Sequence, residues 1–228
     1  MKTKVMYKFL NEVKGKIKSE HGKQTWKIGK TYTLKGEIRC CENGFHASAE
    51  PLEALSYVKG NILAIVEGSG DEDKEADKSA FRSMKITHAY KWTTKDSIQL
   101  AIYLAEQVIK IYEYKYPDDS RPRDAIKAAK AYLKYPSKKR AHAAADAAHA
   151  AHAAAYAAAH AAAHAAYAAA YVAAYAAYAA DAAYAAAYVA AHAASHAAHA
   201  AYAAADAALT AKINRWIKKH IKKLEEIK

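Results

Sequence analysis

The sequence predicts an α+β N-terminal domain followed by an all-α, Ala-rich domain of antiparallel helices, divided near residue 93. Three observations predict it. Residues 1–93 are mixed in composition, concentrate the glycines and are rich in β-branched and aromatic side chains. Residues from about 95 onward read as helix, with neither Gly nor Pro after Pro136. From Ala141 to about Ala211 nearly every residue is Ala, broken by one larger side chain every third or fourth position. That spacing puts the larger residues on one helical stripe, on the best helix-forming background.

In the first domain, Val5–Asn11, Gln24–Trp26, Thr31–Leu34 and Glu37–Cys41 read as short strands. Gly29, Gly36 and the Asn43-Gly44 pair mark turns between and after them. Phe45–Ser48 precedes a helix from Pro51 to about Val58, with proline in its first turn and Ser48 or Glu50 as cap. Asn61–Glu67 is apolar enough for a central strand. Gly68–Lys78 reads as a polar acidic loop, and Phe81–Trp92 as a returning strand.

In the second domain, residues 94–228, Asp96 caps a helix running to about Tyr114. Its apolar face is Ile98, Ala101, Ile102, Ala105, Val108, Ile109 and Tyr112, and Tyr116-Pro117 ends it. A short helix follows from Arg121 to about Tyr135. One unbroken Ala-rich helix of about 70 residues would be ~105 Å long, so two or three antiparallel helices are expected there. Turn candidates lie near Asp146, Asp181 and Ser195. Ile213–Lys228 reads as an amphipathic basic helix.

The chain has 228 residues and a net charge of +12, which favours anionic partners without naming one. Cys40 and Cys41 are the only cysteines, and neighbours in sequence do not form a disulfide scaffold. With no signal-peptide pattern at the start, a cytoplasmic location is expected. No membrane partner is expected either, because regular His, Asp and Tyr in the Ala segment are costly in lipid.

The stripe residues are Tyr, His and Asp, where a core stripe carries Leu, Ile, Val and Phe. They carry hydrogen-bonding tips and, for His, a proton that moves near neutral pH. Three readings stand side by side. The stripe packs thin helices together; or it lines a cavity that stacks on a flat ring; or its His pairs hold a metal. The cavity reading takes His149, His152, Tyr156, His160, Tyr167, Tyr171, Tyr188, His192 and His196 as ligand-binding. Arg121 and Arg123, at a helix N-terminus, add an anion site; the alternative for the Asp118–Arg123 cluster is ordinary helix capping, with Arg121 paired to Asp119 or Asp124. The i, i+4 and i, i+3 His spacings arise by default on so dense a stripe, so no metal and no cofactor are expected. Elsewhere, His46 and Ser48 are candidate catalytic residues, and Cys40 is a nucleophile only if a base approaches it.

The run Asp96–Leu133, sharpest in EYKYPDDSRPRDAIKAAKAYL, resembles a family of immunity proteins from bacterial conflict systems. Asp119, Arg121, Pro122, Arg123, Ala125, Ile126 and Ala128 carry the resemblance. The first domain, with GKTYTLKGEIRCCENGFHASAEPLEAL and NILAIVEGSG, looks like an uncharacterised phage and bacterial domain. Its order of strand, Gly-Phe-His-Ala-Ser, helix and apolar strand resembles the middle of ADP-ribosyltransferase folds. That likeness puts Ser48 at a strand end; the first strand has Lys8 in place of the expected Arg or His, and the partner glutamate on the C-terminal side is missing, so it implies a shape more than an activity.

The function expected is non-catalytic. The protein captures an anionic, nucleotide-like small molecule in a Tyr/His-lined helical cavity, or blocks a protein partner, in phage–bacteria conflict. An ADP-ribosyltransferase-like enzyme and an antitoxin-type inhibitor are the alternatives. Nucleic acid ranks behind these as a partner, and exposed Ala and Tyr faces suit a homo-oligomer.

Overall fold

The computed structural model describes residues 3–21, 24–58, 60–157 and 203–227. The chain divides into two compact units, Met1–Trp92 with Asn214–Lys228, and Thr93–Ile213.

The first unit is an antiparallel sheet. Its strands are β1 (Lys4–Val13), β2 (Lys16–Lys18), β3 (Thr25–Trp26), β4 (Thr31–Thr33), β5 (Phe45–Ala47), β6 (Ile62–Lys74) and β7 (Ser79–Lys91). They lie in the order β3-β2-β1-β6-β7-β4, with β5 also paired to β7. The β6–β7 hairpin is the spine. It carries register shifts at Ile65/Val66 and Ser69/Glu72, and such irregularities bend a strand and increase its twist. The sheet curls into a half-barrel. Ser48, just past β5, then reaches the free edge of β1: Tyr7 N–H donates to the Ser48 carbonyl at 2.8 Å and Ser48 N–H to the Tyr7 carbonyl at 2.9 Å. β5 is thus hydrogen-bonded to β7 and, through Ser48, to β1.

Alternation along the strands sets the inner face. Met6, Leu10, Ile17, Trp26, Phe45, Ala47, Ile62, Ala64, Val66, Phe81, Met84, Ile86 and Ala89 form one buried cluster. Trp26 packs edge-on against Tyr32 and Phe45, with ring centroids at 5.2 and 5.0 Å. Gly68 is required by close approach, since a Cβ there would lie 2.6 Å from the Phe81 ring.

One short helix, α1 (Pro51–Tyr57), follows the Ser48 bridge. Glu50 caps it, and its N–H donates back to the Glu53 carboxylate at 3.2 Å. The last residues of the chain complete this unit. Asn214 accepts from the Leu52 N–H at 3.0 Å, and Lys218 pairs with Glu50 at 2.7 Å. Past the final helix the chain turns and runs beside β7: Lys91 N–H donates to the Glu225 carbonyl and Ile227 N–H to the Ala89 carbonyl.

The second unit contains α2 (Thr94–Lys115), α3 (Arg121–Lys134) and α4 (Lys138–Ala157). The last helix, α5 (Ala203–Ile221), begins in this unit and ends in the first. Thr93 caps α2, and Asp96 closes the capping box by accepting from the Thr93 N–H at 2.8 Å. Asp96 is therefore the returning member of the cap rather than the cap itself.

The expected fold class is corrected. The N-terminal unit is a curled antiparallel sheet with one seven-residue helix, not a mixed α+β layer. The acidic Gly68–Lys78 segment is not a loop, because β6 runs through it to Lys74. Sheet pairing there satisfies the backbone without apolar alternation, and ion pairs such as Arg82–Asp71 and Lys85–Glu67 line its outer face. Glu37–Cys41 is a turn rather than a strand. An all-α, Ala-rich domain of antiparallel helices is not shown among the described residues. Residues 158–202, with the expected turns near Asp181 and Ser195, lie outside them; the turn expected near Asp146 is helix, within α4. The basic C-terminal helix stops at Ile221, and the residues after it serve the sheet instead.

Candidate functional site

The site grows from one residue in the wrong company. On β1, Met6 and Leu10 point into the buried cluster, and Lys8 lies between them on the same face. It is paired in register with Ala64, another member of that cluster. A lysine there gives up hydration, which burial charges against the protonated form. Lys8 as a whole is half-buried, but its ammonium end is enclosed, and burial pushes its pKa down to about 8. Its ammonium donates to the His46 carbonyl at 2.5 Å. Among the described residues, no carboxylate forms an ion pair with it.

Lys8 lines a cavity of about 720 Å³ inside the first unit. β5 and its preceding turn supply one wall, with Cys41, Gly44, His46 and Ser48. α1 supplies Ala54 and Tyr57, the segment after β2 supplies Glu20 and His21, and Lys78 stands just before β7. The volume is in the ordinary range for small-molecule sites, about 300–1,000 Å³.

His46 holds the turn that frames the cavity. Its Nε2 accepts from the Cys41 N–H at 2.8 Å, so the proton of the neutral ring sits on Nδ1. Burial lowers its pKa, and the charges of Lys8 and Lys78 lower it further. Cys41 takes a left-handed backbone at φ 66° to present that N–H. Gly44 passes so close to β7 that a Cβ would meet Ala80 at 2.5 Å.

The two cysteines differ. Cys40 donates from Sγ to the Asp73 carbonyl at 3.2 Å, and burial pushes its thiol up. Cys41 is exposed and accepts from the Lys78 ammonium at 3.2 Å. Lys78 also pairs with Glu75 at 3.1 Å and lies 4.7 Å from the Tyr57 ring centre. These partners, Cys41 first and Glu75 second, raise its pKa. Tyr57 donates to Asp77 at 2.6 Å, and burial followed by that carboxylate pushes its hydroxyl up to about 12. Lys78 is thus spoken for, while Lys8 has no counter-ion among the described residues.

The residues singled out in the helical segment fare differently. Arg121 forks onto Asp119 at 2.9 and 2.7 Å, and Asp119 also accepts from the Tyr112 hydroxyl at 2.6 Å. Arg123 forks onto Glu113 at 2.6 and 2.7 Å, joining α3 to α2. Both arginines are engaged by carboxylates within their own unit. His149, His152 and Tyr156 fall on α4. His160, Tyr167, Tyr171, Tyr188, His192 and His196 lie outside the described residues. Of the first-domain candidates, His46 and Ser48 do meet at one cavity with Lys8. The signal for Lys8 was present in the sequence as a cation inside an apolar alternation, Met6-x-Lys8-x-Leu10.

Residues 5–98 match a family described as a domain of unknown function (DUF7666), a span covering the half-barrel strands and the start of α2. No curated protein and no solved structure matches the chain. No helix among the described residues is long and apolar enough to cross a membrane.

Proposed function

We propose that the protein is a non-catalytic binder that captures an anionic, nucleotide-like small molecule in the half-barrel cavity. The observation that carries this is Lys8: a cation on the inner face of a sheet, in a cavity wall, without a carboxylate partner among the described residues. An anionic ligand supplies the missing counter-charge, and charge-assisted hydrogen bonds in a low-dielectric site are strong. The Tyr57 ring at the wall gives a flat group a surface to lie on. We read the setting as bacterial or phage conflict, in the cytoplasm, on the resemblance of residues 96–133 to immunity proteins. The Tyr/His stripe remains a candidate surface for a protein partner.

The test is calorimetric titration of the whole protein with a panel of phosphate-bearing nucleotides. Binding that weakens as pH rises through about 8, where Lys8 loses its proton, supports the reading. The Lys8→Met variant is expected to lose affinity by roughly 30–100-fold, the weight of one buried charged hydrogen bond. Equal affinity in both proteins removes Lys8 from the site.

A second reading has its own observation. Ser48, the residue that the likeness to ADP-ribosyltransferases puts at a strand end, lines the cavity just past β5, and Lys8 on β1 stands there in place of the Arg or His such enzymes carry. Incubation with NAD and cell lysate tests it; no nicotinamide release and no labelled product end it.

A further inference from the structure

The same geometry that leaves Lys8 without a counter-ion among the described residues makes its nitrogen a chemical group as well as a charge. It stands in a cavity wall large enough for a small molecule, and its described protein contact is one backbone carbonyl. We propose that the Lys8 amine forms an imine with the carbonyl carbon of the bound ligand, so that the site takes aldehydes or ketones bearing an anionic group. This rests on reading the cavity as an anionic-ligand site.

The step balances without any redox partner. The Nζ lone pair attacks the carbonyl carbon, and the C=O π pair moves to oxygen, which takes up a proton. The nitrogen gives up a proton to give the neutral carbinolamine; its hydroxyl then takes up a second proton, from solvent, and leaves as water as the nitrogen lone pair forms the C=N bond. The protonated imine keeps the positive charge, so the ligand's anion keeps its partner.

Burial keeps a large share of this amine neutral near pH 8, where an ordinary surface lysine is almost wholly protonated. The neutral fraction at Lys8 is then about a hundredfold larger than at a surface lysine. Other ionisable side chains line the same cavity: His46 and Cys41 beside β5, Glu42 in the same turn, Glu20 and His21 after β2, Tyr57 on α1, and Lys78. None of the acids among them is within ion-pair distance of Lys8. His46 is neutral across this range, its pKa lowered from 6.5.

The experiment uses the whole protein with pyridoxal phosphate, an anionic aldehyde, and cyanoborohydride to fix any imine. Peptide mapping then locates the adduct. The expected result is one adduct per chain, on Lys8, forming at least tenfold faster than on the average surface lysine, with half-maximal rate near pH 8. Lys8→Arg, which keeps the charge, is expected to lose that fast adduct. Label spread over surface lysines with Lys8 no faster than the rest overturns the proposal. Pyridoxine phosphate, which has an alcohol in place of the aldehyde, separates the two ideas. If it binds while Lys8 stays unlabelled by the aldehyde, the imine is wrong and the anion site stands. If neither compound binds and no adduct forms, both fail.

Discussion

Lys8 is held on the inner face of its sheet at a cost in folding free energy. Its folded pKa, about 8, lies below that of an unfolded lysine. Between these values the unfolded chain binds more protons than the folded one, so stability rises with pH. The penalty is full below about 8 and fades as pH approaches the unfolded value. Lys8→Met removes it and keeps the inner face filled. We expect the variant to be more stable at pH 7 by about 1–3 kcal/mol in urea unfolding, with the gain shrinking by pH 10. No gain at either pH means the ammonium is well hydrated. His46 runs on the same logic at lower pH. Its folded pKa is lowered, so its contribution is complete above the unfolded value of 6.5 and is lost as pH falls toward the folded one. Protonation also puts a hydrogen on Nε2, where the Cys41 N–H now donates. The melting temperature should therefore drop between pH 7.5 and 5, and His46→Asn should flatten part of that drop. At this scale the sequence was half legible. The Met6-Lys8-Leu10 alternation marks the lysine, but nothing local says that His46 and Ser48 come to line the same cavity beside it. That depends on the Tyr7–Ser48 bridge, a contact between residues 41 positions apart.

At the scale of elements, the long β6–β7 hairpin decides the shape. The apolar part of β6 was readable from Ile62 to Val66, while its acidic half was not, because ion pairs and backbone pairing replace alternation there. Gly68 sits where the two halves meet, under the Phe81 ring. Gly68→Ala is expected to lower stability by about 1–3 kcal/mol, since the buried ring has to move aside. A neutral result in denaturant melts would mean the ring has room. The helix pair α2–α3 follows ordinary capping and charge pairing. Its polar cluster, Tyr112–Asp119–Arg121, holds the Asp119 carboxyl well below the usual range through Arg121. The fork of Arg123 on Glu113 is partly exposed, so Arg123→Ala should cost about 0.5–1.5 kcal/mol of helical stability. Motif reading offered both arginines to a ligand and set the pairing of Arg121 with Asp119 or Asp124 beside it; Glu113, ten residues before Arg123, was not singled out.

For the whole molecule, chain order and unit membership differ. The last fifteen residues belong with the first ninety-two, and their tail runs along β7. Sequence reading joined them to the Ala-rich segment because both look helical, and the strand-like pairing of Glu225–Ile227 has no local signature. The basic tail thereby becomes part of the unit that carries the cavity. On the proposed reading, the charge that holds the anion is Lys8 in the half-barrel rather than Arg121 and Arg123. Calorimetric titration of the same phosphate-bearing ligand into wild-type protein, Lys8→Met and the Arg121→Ala/Arg123→Ala double variant tests it directly. The account predicts that the double variant binds like wild type while Lys8→Met is weakened by at least tenfold. Affinity lost in the double variant and kept in Lys8→Met would contradict it.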